Sequence, residues 1–169
     1  MRVAPWSFGL LVFFGLAACL APASPARADE PLRNYLCVFA GTTVAYRAPG
    51  ASSFDGWQHD LTTTVGYGRY VRPTLVLELD LGPTLVRGDY ASLAFVPGVV
   101  WAFSPYAYAA ARFVVPVDPE ASFVLFPGLG LSRTFGRFTP ILEVNLSHTV
   151  GKGKSDLGFT VTGGLIVGF

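Results

Sequence analysis

Six charged or amide side chains lie on the polar side of segments in which apolar and polar residues alternate. They are Asp60, Glu78, Asp80, Arg112, Glu143 and Asn145. Carboxylates held close together can relay protons or bind cations, so one interpretation is a proton or cation path. The other is a hydrogen-bonded plug in which Arg112 pairs with one or more acids, because buried charges need partners. We favour the plug.

The two histidines of the sequence are candidates for general-base chemistry. Ser147 precedes His148, which invites a hydrolase interpretation. Adjacent residues of a strand point to opposite faces, so this pair cannot easily form a nucleophile and its base. His59 stands beside Asp60 and fails for the same reason. We therefore predict no catalytic residue.

The sequence offers little for metal or cofactor binding. It has two cysteines, Cys19 and Cys37, and cleavage before Asp29 would leave only the second. One thiol forms neither an internal disulfide nor a metal site built from clustered cysteines. The glycine-lysine run at residues 151–154 lacks the spacing of a phosphate-binding loop. We predict no cofactor and no metal, with Cys37 as a small buried or lipid-facing filler.

The segments that position these groups have a period of two, which is typical of β-strands. In residues 74–82 the leucines fall on one face, opposite Val76, Glu78, Asp80 and Gly82. A helix would scatter these residues around its circumference. The same sorting, weaker in three cases, occurs in residues 34–46, 57–70, 90–103, 106–115, 122–134, 138–149 and 157–169.

The connections between these segments alternate in length. Short turns are predicted at residues 70–73, 104–105 and 135–137, and longer polar loops at residues 47–56, 83–89, 116–121 and 150–156. This alternation is typical of outer-membrane barrels. We predict an all-β fold, a closed antiparallel up-and-down transmembrane β-barrel of about eight strands. Pro97 and Pro127 each precede a glycine within a predicted strand, where we expect a local bulge or kink.

Composition supports a protein whose surface does not face water. Hydrophobic residues make up 51% of the chain and charged residues 14%, against roughly 25% charged in an ordinary soluble domain. The net charge of +1 gives no electrostatic case for nucleic-acid binding. A soluble barrel of the lipocalin kind would carry many Lys and Glu outside. The polar face here is mostly Gly, Ala, Ser and Thr, so we favour the membrane.

The N-terminus predicts export. Residues 1–28 contain Arg2, a compact apolar stretch at residues 8–20 and an Ala-Arg-Ala cleavage site at residues 26–28. The predicted mature domain is the barrel of residues 29–169. An alternative is the lipobox-like run at residues 16–19, in which Cys19 would be lipidated.

The last predicted strand shows the most specific pattern. Apolar residues recur at steps of two before Phe169, among them Val167 and Leu165, with Gly163 as a departure. This resembles the C-terminal signature read by the barrel-assembly machinery, and the mature chain resembles OmpA/OmpX-type small barrels. The resemblance implies a monomer in the cell outer membrane, in contact with lipid, lipopolysaccharide and that machinery.

Three functions remain open from the sequence. The first is a plugged barrel with a structural or surface-interaction role: segments 74–82 and 138–149 are not neighbours, so pairing their acids with Arg112 would cross and block the lumen. The second is a narrow channel for small or apolar solutes. The third is a lipid A-modifying enzyme. It is disfavoured because lipid A deacylases use a His and a Ser two residues apart, whereas the positions two residues from His148 hold Leu146 and Val150.

Overall fold

The computed structural model describes residues 34–86, 89–117, 123–150 and 156–169. The predicted export signal with Cys19, the first residues of the predicted barrel domain and the run at residues 151–154 lie outside these ranges. The eight strands are β1 (Asn34–Arg47), β2 (Asp60–Arg72), β3 (Leu75–Val86), β4 (Asp89–Ala102), β5 (Ala107–Pro116), β6 (Phe123–Ser132), β7 (Phe138–Val150) and β8 (Leu157–Gly168). Within the described ranges, no helix is long and apolar enough to cross a membrane.

Each strand pairs antiparallel with the next, and β8 pairs with β1. The predicted closed antiparallel barrel of eight strands is therefore confirmed. Closure pairs every strand on both sides, so the sheet has no open edge. In the last ladder the backbone NH of Asn34 donates to Phe169 O at 3.3 Å, and the NH of Phe169 donates back at 2.9 Å.

The barrel has two different ends. The turn end holds the connections β2–β3, β4–β5 and β6–β7, together with Asn34 and Phe169. The loop end holds the other four connections. The first of these folds back onto β1, where Asp55 and Tyr46 exchange backbone hydrogen bonds of 2.6 and 3.0 Å. The long loop predicted at residues 83–89 is wrong, because β3 continues through Pro83 to Val86 and β4 begins at Asp89.

The prolines inside strands interrupt one neighbouring ladder without shifting its register. Pro97 pairs with Leu79 of β3, while the β4–β5 ladder lacks a pairing at that position. Pro127 pairs with Ala111 of β5, while the β6–β7 ladder is interrupted beside it. A proline removes one donor but adds no residue, so the register continues. Of the bulge or kink predicted at Pro97 and Pro127, the bulge is therefore absent, and a kink stays a prediction.

The alternation along each strand separates an apolar outer wall from a mixed interior. On β3 the side chains of Leu77, Leu79 and Leu81 point outward and are 44% to 52% exposed. Many exposed aromatic side chains lie near the two ends: Trp101, Phe103, Tyr106, Phe138 and Phe169 toward the turn end, and Phe54, Trp57, Phe123 and Phe159 toward the loop end. Phe95, in the middle of β4, and Phe113 on β5 are also exposed. Transmembrane barrels have such an apolar band between two aromatic girdles.

The interior core lies toward the turn end. Its buried members are Tyr35, Cys37, Phe39, Val76, Tyr108, Ala110 and Ile141, and Val100, Ala102 and Ile166 pack against them. Aromatic side chains thus fill much of a lumen that eight strands leave only wide enough for side chains. The charged groups of the interior lie next to this cluster.

Candidate functional site: a polar layer across the lumen

Arg112 of β5 forms ion pairs with acids from two other strands. Its Nε lies 2.8 Å from Glu78 Oε1 on β3, and its Nη1 lies 2.5 Å from Glu143 Oε1 on β7. Arg112 is 5% exposed, and the two acids are similarly buried. β4 and β6 separate these strands from β5, so the guanidinium joins three non-adjacent strands. We call Arg112, Glu78, Glu143 and Asp80 the polar layer.

Interior glycines make the space that the polar layer occupies. Gly98 is paired with Arg112, and a Cβ at Gly98 would lie 2.6 Å from Arg112 Cγ. On the opposite side, a Cβ at Gly128 would lie 3.0 Å from Glu143 Oε1 and closer still to Asn145 Oδ1. Each long polar side chain therefore lies over a residue without a side chain, and larger residues there would displace it.

Two residues of β1 complete the hydrogen bonding of the layer. The hydroxyl of Tyr35 donates to Glu78 Oε2 at 2.6 Å, so both oxygens of Glu78 have a donor. The thiol of Cys37 lies 3.5 Å from Asp80 Oδ1.

This corner of the layer also has the composition of a metal site. Ligand atoms of Cys37, Glu78 and Asp80 lie within 4.8 Å of one another. However, a cation there would compete with Arg112 and Tyr35 for Glu78. The arrangement is that of a hydrogen-bonded ion-pair network.

Asn145 and Asp60 lie apart from the ion pairs. Asn145 is buried on β7, and its amide donates to the hydroxyl of Thr162 at 3.3 Å. Asp60 lies at the loop end, where its carboxylate accepts hydrogen bonds from the hydroxyl of Thr42, the backbone NH of Thr43 and the hydroxyl of Thr43 at 2.6 to 2.9 Å. The structure therefore brings four of the six predicted interior residues into one layer and places two outside it.

The polar layer lies between two cavities of similar size. The loop-side chamber has a volume of about 420 Å³ and the turn-side chamber about 430 Å³. Phe39 and Arg112 line both chambers, so they stand at the boundary between them. The Arg112 guanidinium lies 5.8 Å from the centre of the Phe39 ring. An aromatic ring and an ion-paired guanidinium thus separate the two chambers.

The histidines lie away from this layer. Ser147 lines the loop-side chamber, whereas the Nδ1 atom of His148 lies 3.1 Å from the backbone oxygen of Asp156. His59 is exposed, has a φ of 56°, and its ring stacks on Trp57 at 4.5 Å. These positions give neither histidine a nucleophile within hydrogen-bond distance among the described residues.

The predicted assembly residues Leu165 and Val167 are on the seam strand β8, and Phe169 directly follows it. Leu165 and Phe169 are 41% and 56% exposed on the outer wall, and Val167 is half-buried between its partners on β1 and β7. Their role in assembly stays a prediction.

Sequence reasoning missed the aromatic residues and the glycines that surround the polar layer. Tyr35 and Phe39 alternate with Leu36 and Val38 along β1, so the period of two did place them on one face. Their contribution to the interior was not recognised, because an aromatic residue fits either face of a barrel strand. The glycines opposite long polar residues were the usable signal, since a short residue paired with a long one indicates shared interior space.

Comparison with known proteins supports the fold and no finer assignment. No family model and no curated protein matches the chain. The fold is similar to that of a de novo designed transmembrane β-barrel, with a TM-score of 0.54 and 17% identity, over 83% of this chain and 98% of the designed one. The described barrel therefore resembles transmembrane β-barrels.

Proposed function

We propose that the chain is an integral outer-membrane barrel, plugged at the polar layer, with a structural or surface-interaction role and no catalysis. The observation that supports the plug is the double ion pair of Arg112, which links β5 to β3 and β7 across the interior. Breaking a buried ion pair leaves an uncompensated charge, which is strongly unfavourable. Opening a water path through this layer would require that rearrangement.

The outer wall supports the membrane part of the proposal. Large contiguous surfaces of exposed apolar side chains are unusual in a soluble monomer and mark contact with lipid or protein. The aromatic side chains near both ends match the two interfaces of a bilayer. Membership of the OmpA/OmpX-type barrels, export by residues 1–28 and contact with lipopolysaccharide belong to the same proposal.

Conductance of the refolded protein in a planar bilayer tests the plug. We expect at most rare, small openings for the wild type. Arg112→Ala is expected to conduct steadily, because it removes the group that joins Glu78 and Glu143. If the alanine variant does not refold, Arg112→Lys replaces it, since a single ammonium group cannot span both acids in the same way. Steady wild-type conductance, unchanged by either variant, would support the narrow channel instead.

The C-terminal residues provide a separate test of outer-membrane assembly. Deleting Phe169 is expected to lower the amount of folded, heat-modifiable barrel in the outer membrane, because the terminal aromatic is the most specific part of the pattern. Phe138→Ala is a matched control, since Phe138 is an exposed aromatic residue at the same end of the barrel. Equal insertion of the deletion variant and the wild type would remove the support that the pattern gives.

A further inference from the structure

The loop-side chamber has the size of a small-molecule site. Its volume of about 420 Å³ lies within the roughly 300–1,000 Å³ typical of ligand pockets. Its floor includes Phe39, Arg112 and Glu143, and at the loop end it is lined by Tyr46, Gln58 and Asp156. The chamber therefore extends from the buried layer to the rim of the barrel.

The two sides of this chamber differ in chemistry. On β4, β5 and β6 the lining is mainly apolar: Ala94, Val96, Val114, Val124 and Phe126. On β7, β8, β1 and β2 hydroxyl groups dominate: Ser147, Thr160, Thr162, Thr43, Thr62 and Thr64. A ligand that matches both sides has an apolar body and a polar group.

The charge of the lining favours a cation as that polar group. Among the described residues, four carboxyl groups line the chamber, on Asp60, Asp80, Glu143 and Asp156, against the single guanidinium of Arg112. That guanidinium is already paired with Glu78 and Glu143. The donors to Asp60 in the described part of the chain are neutral groups of Thr42 and Thr43, which fix its orientation without adding a positive charge.

The floor of the chamber, at the end away from Asp60, offers a second acceptor. The second carboxylate oxygen of Glu143 is buried and accepts no hydrogen bond from the described residues. Glu143 itself is 2% exposed and lines the chamber. A buried acceptor without a donor is costly, so a ligand that donates a hydrogen bond there would relieve that cost.

We propose that the loop-side chamber binds a small organic cation, an ammonium group attached to an apolar body. The body lies against the apolar side formed by β4 to β6, and the ammonium group is held by Asp60 and the neighbouring hydroxyls. A bare metal ion would leave the apolar side unused, and an anion would meet four carboxyl groups. The proposal concerns the chamber above the polar layer and does not depend on whether the barrel conducts.

Calorimetric titration of the refolded protein in detergent micelles tests this, with protein-free micelles as the blank. The probes are 2-phenylethylammonium, the neutral 2-phenylethanol and the anionic 3-phenylpropionate, which share an apolar body. We expect the ammonium probe to bind about tenfold more tightly than the alcohol, the equivalent of one charged hydrogen bond. We expect no measurable binding of the carboxylate.

Three variants locate the site. Asp60→Asn keeps the shape of the side chain and is expected to weaken binding of the ammonium probe about tenfold, with the alcohol unaffected. Ala94→Phe fills the chamber and is expected to abolish binding, with Val124→Phe as its replacement if the first does not refold. Val144→Phe adds the same bulk on the outer wall, where Val144 is 49% exposed, and is expected to change nothing.

The opposite results would overturn the proposal. Equal affinity for the ammonium and alcohol probes, or no effect of Asp60→Asn, would show that the chamber does not select a cation. Unchanged binding in both filled variants would place the binding in the micelle or on the outer wall. Absence of binding for every probe would likewise reject the site.

Discussion

The two chambers have nearly the same volume but differ in the charged groups that line them. The turn-side chamber is lined by Tyr35, Tyr70 and Tyr108 together with Val76, and its charged lining residues are the paired Glu78 and Arg112. Among the described residues the loop-side chamber is lined by four carboxyl groups, and both chambers carry Ser and Thr hydroxyl groups. Both lie inside the same eight-stranded barrel, so we attribute the difference in charge to the side chains. Tyr35, Val76 and Tyr108 of the buried core line only the turn side, against Ile141 on the loop side alone, so we expect stability to depend more on the turn side.

The largest effect is expected at the boundary between the chambers. Arg112→Ala leaves two buried acids without their cation, and the expected loss of unfolding free energy is about 3–5 kcal/mol. Urea unfolding of the refolded protein measures it. The triple variant Arg112→Met, Glu78→Gln, Glu143→Gln removes the charges together and should recover most of that loss. A loss below about 1 kcal/mol for Arg112→Ala would mean that the ion pairs contribute little.

A pair of hydroxyl deletions compares the two chambers directly. Tyr35→Phe removes the donor to Glu78 on the turn side and is expected to cost about 2 kcal/mol, as for a hydrogen bond to a charged group. Ser147→Ala removes a hydroxyl from the loop-side lining and is expected to change stability by less than about 0.5 kcal/mol. Urea midpoints of the two variants, at equal slope, give the comparison. Equal losses would contradict the assignment of stability to the turn side.

The smallest effect tests the space made by interior glycine. Gly98→Ala places a methyl group against Arg112 Cγ and is expected to cost about 1 kcal/mol of unfolding free energy. Gly163→Ala is the matched control, because a Cβ there meets nothing within 4 Å. Urea unfolding of the two variants should therefore differ. If both are as stable as the wild type, Arg112 can move without loss and the layer is looser than its contacts indicate.

The sequence predicted the barrel well and its fine structure less well, for physical reasons. The leucines of residues 74–82 located β3, because an apolar exterior leaves a strict period of two. Pro83 predicts the end of that strand, yet a barrel strand tolerates proline where one neighbouring ladder is interrupted. The β2–β3 ladder has such a gap, between Thr62 paired with Thr84 and Val65 paired with Leu81.

The sequence also did not predict where the interior residues lie along the barrel axis. The alternation along each strand placed Glu78, Arg112 and Glu143 on the inner face. The spacing of these residues did not predict their position along the barrel axis. That position depends on the stagger between neighbouring strands, and the stagger is a property of the barrel as a whole. Asp60 shares the face of the layer residues and still lies at the loop end, bonded to threonines.

The seam between β1 and β8 has a consequence for the order in which the barrel is built. Seven of the eight ladders join strands that are consecutive in the chain, and the seam joins the first to the last. The β1–β8 ladder brings together strands that are separated by the rest of the barrel sequence. Forming it therefore carries the largest loss of chain entropy of any ladder. Since Asn34 and Phe169 are hydrogen-bonded to each other, a short linker between them would let the chain be opened at another connection. Such a permuted chain would have its late-forming seam elsewhere, while the wall and both chambers stay the same.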